Sequence, residues 1–298
     1  MRVRSLVITP AMEGTRVRAL LKKELLLSDA LISRLKRRER GICLNGEKCY
    51  TNVYPKAGDV LSAEVGDERP RRPRPWAVPL PIIWQDEDML VLDKPGDLAV
   101  HVSLREEQCA SVEGALALLL PPGDGIHPVS RLDKGTTGLM TVAKSGYMHD
   151  ILRRMLHTPD FRREYIGICL GQPPEREGHI RLPIGCLPGY TYARRVDPGG
   201  AASHTEYRVL AAGGGMSLLR LIPHTGRTHQ LRVHMAAVGC PLAGDWMYGR
   251  EDPGLISRPA LHSAELWLRH PLTGERLHLV APIPEDMRGL LRRVLAGG

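Results

Sequence analysis

Residues 127–144 read His-Pro-Val-Ser-Arg-Leu-Asp-Lys-Gly-Thr-Thr-Gly-Leu-Met-Thr-Val-Ala-Lys. One acid, Asp133, stands between Arg131 and Lys134. Gly135 and Gly138 bracket Thr136 and Thr137, and an apolar run from Leu139 to Ala143 ends at Lys144. This is the pattern of a polar loop feeding a buried strand. Flanking cations favour the charged form of a carboxylate. Glycines let the backbone turn tightly or let a ligand come close. The pattern alone leaves a charged surface turn equally open, because Asp is common in turns.

A second polar stretch lies far downstream, Pro223-His224-Thr225-Gly226-Arg227-Thr228-His229-Gln230-Leu231-Arg232-Val233-His234. It reads as a turn at Thr225-Gly226 followed by a helix, with Leu231, Val233 and Ala237 packed and Arg227 and Arg232 projecting. A cation at a helix start opposes the helix dipole, so Arg227 calls for a negative partner. The three histidines are spaced by five, which puts no two on one helical face. With no Cys or carboxylate at ligand spacing, no metal is expected.

Between and around these stretches the chain alternates hairpins with helices, which supports an α+β class and no more. Val17, Leu20, Leu21 and Leu25 recur at helical spacing among Arg16, Arg18, Lys22 and Lys23. Ser28 is a good N-cap for a second helix, which offers Leu31, Ile32 and Leu35 to a core and Arg34, Lys36, Arg37 and Arg38 to solvent. Gly41 stops it, and Asn45-Gly46 signals a hairpin. Residues 67–81 hold five prolines and cannot form a regular element, so they read as an extended linker. Beyond it, Ile82–Trp84 and Met89–Leu92 form a hairpin, Val112–Leu120 a helix, Ser145 the cap of a helix through His157, and Phe161–Leu170 a strand.

Charge separates the regions. Residues 1–66 carry 13 Lys/Arg against 7 Asp/Glu and the linker 4 against 2, while the remainder balances at 24 each. All the excess of the net +8 therefore lies in the first quarter, as in an appended nucleic-acid-binding module; a basic face that serves solubility is the alternative. Aromatics are only 4% with a single Phe, so the core must be aliphatic. The six Cys include no C-x-x-C pair, against a common zinc site or a disulfide framework, and reduced thiols in a cytoplasm fit. No apolar run approaches a membrane span, and no signal-like core is present.

The stretch around Asp133 resembles the catalytic motif of the RluA-type pseudouridine synthases: R-L-D, a T-T-G turn and an apolar strand ending in A-K. Ser130 departs from the His that many members place before the Arg. Residues 223–234 resemble the family's H-T-G-R-T-H-Q-L-R-V-H motif, and Lys94 to His101 its K-P-x-G-x-x-V-H segment. Two basic helices, an N-G hairpin and a G-D turn make residues 12–66 similar to the S4 RNA-binding domain. The resemblance implies an S4-like domain over 1–66, the linker over 67–81 and a catalytic domain over 82–298 with a mixed, mostly antiparallel sheet. It implies conversion of uridine to pseudouridine within RNA: the N1–C1′ bond breaks, the base turns, and C5 joins C1′. Neither a cofactor nor an obligatory protein partner is implied. By the resemblance Asp133 would be the catalytic carboxylate, Arg227 its ion-pair partner and Tyr165 the ring stacked on the flipped base, although an aromatic in a strand is ordinarily core. Arg131, Thr136, Thr137, His101, Gln230 and Arg232 are candidate substrate contacts; for His101 a structural hydrogen bond is the stronger reading. The basic residues from Arg16 to Arg38 would meet phosphates. Ribosomal RNA of the large subunit is the expected substrate, with transfer RNA the alternative. Two other classes remain open, an RNA-binding protein without activity and a hydrolase using Asp133 as nucleophile; the latter needs a second carboxylate or metal ligands that the stretch lacks.

Overall fold

Apolar strands and amphipathic helices alternate along the chain, and a computed structural model shows how they assemble. It describes residues 2–68, 70, 72–101, 109–252 and 254–297. Arg69 and Arg71 of the expected linker, and Gly298 at the chain's end, lie outside the described residues.

The first 66 residues form β1 (Val3–Val7), α1 (Val17–Lys23), α2 (Asp29–Leu35), β2 (Ile42–Leu44), β3 (Glu47–Lys48) and β4 (Val60–Glu64). The strands make a sheet in the order β1-β4-β2-β3. The side chain of Ser28 accepts the Leu31 amide and starts α2, as its residue type demands. Helix α2 ends at Leu35, so Lys36, Arg37 and Arg38 stand beyond its last turn rather than on it.

The larger part contains β5 (Ile82–Gln85), β6 (Met89–Lys94), α3 (Val112–Leu119), β7 (His127–Pro128), β8 (Thr137–Ala143), α4 (Gly146–Met155) and β9 (Phe161–Leu170). It continues with β10 (Glu177–Ile180), β11 (Ile184–Cys186), β12 (Arg194–Val196), β13 (Thr205–Gly213) and β14 (Met216–Pro223). Then come α5 (Gln230–Ala237), β15 (Leu261–Arg269), β16 (Arg276–Val280) and α6 (Glu285–Ala296). Its large sheet runs β10-β13-β14-β9-β15-β8-β6-β5, with β16 beside β15 and β7 beside β8. Among the described ladders only β8 with β15 is parallel, so the sheet is mixed and mostly antiparallel, an α+β fold. Gly138 makes that pairing possible: its φ is +105°, and a Cβ there would stand 2.3 Å from the Ser263 carbonyl oxygen. Strand β8 is buried along its whole length, as the unbroken apolar run predicts.

The two parts share a core. Tyr147 and Ile151 of α4 pack into the apolar cluster formed by Ile8, Leu20, Leu21, Leu27 and Leu61. The Tyr147 hydroxyl donates to the Leu25 carbonyl at 2.8 Å, and Arg154 donates to the Leu26 carbonyl at 2.7 Å. Arg4 pairs with Asp88, and Arg2 reaches Asp124 at 2.8 Å. The intervening proline-rich stretch carries no regular element, but it is pinned. Arg72 donates to the carbonyls of Ala117, Leu120, Pro121 and Asp124, satisfying the open end of α3. Its arginines thus include one with a structural duty.

Candidate active site

Strand β8 needs a tight entry, and the loop before it supplies one: the Thr136 amide donates to the Asp133 carbonyl at 3.0 Å. Behind the loop stands Lys94, the last residue of β6 and fully buried. Its ammonium donates to the carbonyls of Pro95, Leu98 and Lys134 at 2.7, 2.9 and 2.9 Å. Burial and then Arg258 pull its pKa down to about 7, while Asp133, Asp97 and Asp93 pull the other way. Three carbonyl acceptors suit the three N–H bonds of the charged form. On the other side Arg258 donates to the Gly135 carbonyl at 3.0 Å and grips Asp286 with two bonds of 2.7 Å. The loop carrying Asp133 is therefore fixed from two sides by buried cations.

The Asp133 carboxylate opens into a cleft of about 840 Å³. Arg131, Thr136, Tyr165, His101, Arg227, Gln230 and Arg232 all border it. Thr137 does not: its hydroxyl turns to His262 Nδ1 at 2.9 Å inside the sheet. Tyr165, on β9, is 5% exposed and shows the cleft what surface it has. His101 pairs with Glu113 at 2.9 Å, the structural hydrogen bond favoured by the sequence. Gln230 borders the cleft with its amide already engaged. It accepts from Thr225 Oγ1 and the Arg227 amide, and donates to the His204 carbonyl and Thr205 Oγ1. That bonding suits a brace better than a substrate contact.

The expected pairing of Arg227 with Asp133 is corrected. Arg227 is exposed and its Nε donates to the Ala202 carbonyl at 3.2 Å. Arg232 faces Asp133 instead, with Nη1 3.5 Å from Oδ2. The reason is where the helix starts. His229, the residue before α5, has φ +57°, which breaks the helical path and leaves Arg227 in the preceding turn. Arg232 then falls on the inner face of α5, buried rather than projecting. Two bonds of 2.8 Å to the fully buried Asp245 lock it, and its guanidinium lies 5.0 Å from the Tyr248 ring centre. Burial opposes the Arg232 charge, but Asp245 and Asp133 more than offset it, so its pKa is raised. His229 completes the group, with Nε2 3.9 Å from Asp133 and Nδ1 2.7 Å from the Tyr248 hydroxyl. Burial lowers its pKa despite Asp133.

Sequence reasoning gave no role to Lys94, Asp245, Tyr248 or His229. A lysine closing an apolar strand before Pro-Gly is a usable signal for the first. For Asp245 no local spacing exists, since it is a loop residue thirteen positions beyond its arginine, past the end of α5. The rim also holds His149, Arg153, His157 and Arg163. Burial, reinforced by Arg163, drives His157 down to about 4, so the wall is basic through its arginines.

The N-terminal basic residues are unevenly available. Arg18 and Lys22 converge on Asp29 at 2.9 and 2.8 Å. Lys23 lies 3.7 Å from Glu24, and Arg16 donates to the Tyr54 hydroxyl at 2.7 Å. Arg38 is largely covered and sits 3.2 Å from Glu68. Arg34, Lys36 and Arg37 are exposed.

A catalytic-type carboxylate held by buried cations in a basic cleft, on a mixed sheet, agrees with what comparison shows. Residues 88–237 match the model of the RNA pseudouridylate synthase family. The chain is 34% identical over 275 residues to the uncharacterized RNA pseudouridine synthase YjbO of Bacillus subtilis, covering 90% of this chain and 96% of that one. It is 37% identical over 284 residues to ribosomal large subunit pseudouridine synthase D of Vibrio cholerae, covering 88% and 86%. Among solved structures, human RNA pseudouridylate synthase domain containing 4 superposes with a TM-score of 0.58 at 26% identity, over 72% of this chain and 93% of that one. The chain belongs to the RNA pseudouridylate synthase family. It is an RNA pseudouridine synthase, an isomerase acting on uridine within RNA. Among the described residues no helix is long and apolar enough to cross a membrane.

Proposed function

We propose that this chain converts specific uridines of large-subunit ribosomal RNA to pseudouridine, with Asp133 as the reacting carboxylate. The observation that carries the reading is the Asp133–Arg232–Asp245 chain: a carboxylate open to the cleft, faced by an arginine that a second, buried carboxylate immobilises. Such a partner orients Asp133 through a charged contact without competing for the substrate side. Asp133 then acts by attack on C1′ or by taking the 2′-proton. Tyr165 offers the ring for a base turned out of its stack, and exposed Arg131 fills the vacated space or grips a phosphate. The rim arginines Arg153, Arg163 and Arg227 follow the backbone of the RNA. Isomerisation changes no oxidation state, so these groups suffice for the chemistry.

Residues 1–66 act in this reading as an S4-like RNA-binding domain, with Arg34, Lys36 and Arg37 as its free phosphate contacts. The ribosomal assignment is supported by the relatives named ribosomal large subunit pseudouridine synthase D. With that substrate, the reading has the chain work in the cytoplasm. Pseudouridine mapping in ribosomal and transfer RNA from cells lacking the protein tests it. Loss of discrete sites in large-subunit RNA, restored by the wild-type gene, is expected; loss confined to transfer RNA would reassign the substrate.

A further inference from the structure

Three histidines from separate elements meet at one end of the large sheet, outside the cleft. His179 is on β10, His204 stands just before β13, and His224 follows β14. These strands are consecutive neighbours. His179 Nδ1 lies 3.0 Å from His204 Nε2. The His204 and His224 rings stack with centres 4.3 Å apart. One ring nitrogen from each of the three falls within 4.8 Å of the other two. Glu206, two residues along β13, places Oε2 3.0 Å from His224 Nε2.

Ordinary surface chemistry accounts for this only in part. A hydrogen bond explains the first pair, and an ion pair explains His224 with Glu206. Neither accounts for the His204 ring being held between both others, stacked on His224 and bonded to His179. Imidazole nitrogens bound to one tetrahedral zinc at about 2.0–2.1 Å lie roughly 3.3 Å from one another. The 3.0 Å pair already meets that spacing, and the His224 ring turns out of its stack on His204 to bring its nitrogen, already within 4.8 Å, to the ion. Three imidazoles and a carboxylate are a donor set suited to zinc.

We propose that His179, His204 and His224 bind a divalent transition-metal ion of the zinc class, with Glu206 turning from His224 to serve as fourth donor. None of these four borders the cleft, so the ion is a brace and not a reactant. What it braces is the rim. The His204 amide donates to Thr225 Oγ1, the His224 amide donates to the His204 carbonyl, and Gln230 donates to that same carbonyl. The ion would tie these strands together directly beneath the turn that carries Arg227. The spacing 179, 204 and 224 hides the site from any sequence rule based on short ligand intervals.

The test uses the untagged full-length protein, stripped by chelation. It is titrated with Zn2+ against a chromophoric chelator, and with Co2+ while the visible bands of four-coordinate cobalt are followed. One equivalent of each is expected, with affinity falling at least tenfold in His179→Gln and in His204→Gln. His179 is exposed on the edge strand, so its variant is expected to keep the wild-type circular dichroism and thermal transition. Failure of the wild type to take up one equivalent would overturn the proposal, and so would uptake unchanged in His179→Gln.

Discussion

At the scale of single residues, two arginines five positions apart have separate duties. Arg232 is buried between two carboxylates, whereas Arg227 lies exposed on a turn. Replacing Arg232 by Gln leaves Asp245 buried and unpaired, an effect of about 3–5 kcal/mol on stability. It also removes the partner of Asp133. Thermal unfolding and steady-state kinetics should show a lowered Tm and a fall in kcat. Arg227→Ala should instead raise KM for RNA with kcat within a few-fold and Tm unchanged. If Arg227→Ala abolished turnover while Arg232→Gln preserved it, the pairing described above would be wrong. Lys94 is a positioning residue. Lys94→Met removes three carbonyl contacts beneath Asp133, and displacement of a reacting group by about 1 Å lowers rates roughly 100-fold. A drop of that order in kcat with unchanged RNA affinity is expected; equal losses in both would mean general unfolding. Asp133 and Tyr165, each set in a motif of the sequence, border one cleft. The sequence misplaced the partner arginine because nothing local shows that Arg232 has a carboxylate thirteen residues on, or that His229 takes a left-handed backbone.

At the scale of elements, the strands of the large sheet are joined by buried polar bonds as well as by apolar packing. His262 on β15 meets Thr137 on β8 at 2.9 Å and is 1% exposed. Burial drives its pKa from 6.5 to about 4. A depressed histidine is neutral in the folded state and takes its proton in the unfolded state first. Its contribution is therefore complete above pH 6.5 and is lost as pH falls from there to about 4, about 3 kcal/mol in all. Denaturant unfolding across that window should show stability falling with pH, with a shallower slope in His262→Gln. An identical slope in the variant would assign the acid lability elsewhere. Elements with a long apolar-rich run or a cap, such as β9 at Phe161–Leu170 and the helix after Ser145, were legible in the sequence. The start of α5 was not, because the T-G turn gave no sign of the irregular backbone at His229.

At the scale of the whole molecule, the basic first quarter is not a loosely tethered appendage. Tyr147 and Ile151 of α4 complete its core, and Asp88 and Asp124 receive Arg2 and Arg4. Composition exposed the charge excess but not this docking, since the contacts join residues more than eighty positions apart. Nor did it show that Asp29 and Tyr54 occupy much of the basic set. The exposed remainder makes the prediction narrower: Lys36→Gln with Arg37→Gln should weaken RNA binding and reduce the salt slope by roughly 1–2, while kcat at saturating RNA stays near wild type. A slope unchanged by the double substitution would remove these residues from the RNA interface.

The central claim is that Asp133 performs the isomerisation, in the cleft that these parts jointly hold. Purified wild type and Asp133→Asn, each incubated with unmodified large-subunit ribosomal RNA, measure it directly through pseudouridine formed at mapped positions. Wild type should modify discrete uridines, and Asp133→Asn should bind the RNA with similar affinity yet lose at least roughly 1,000-fold in rate, about 4 kcal/mol of transition-state stabilisation. Pseudouridine formation by Asp133→Asn at the wild-type rate would contradict the account.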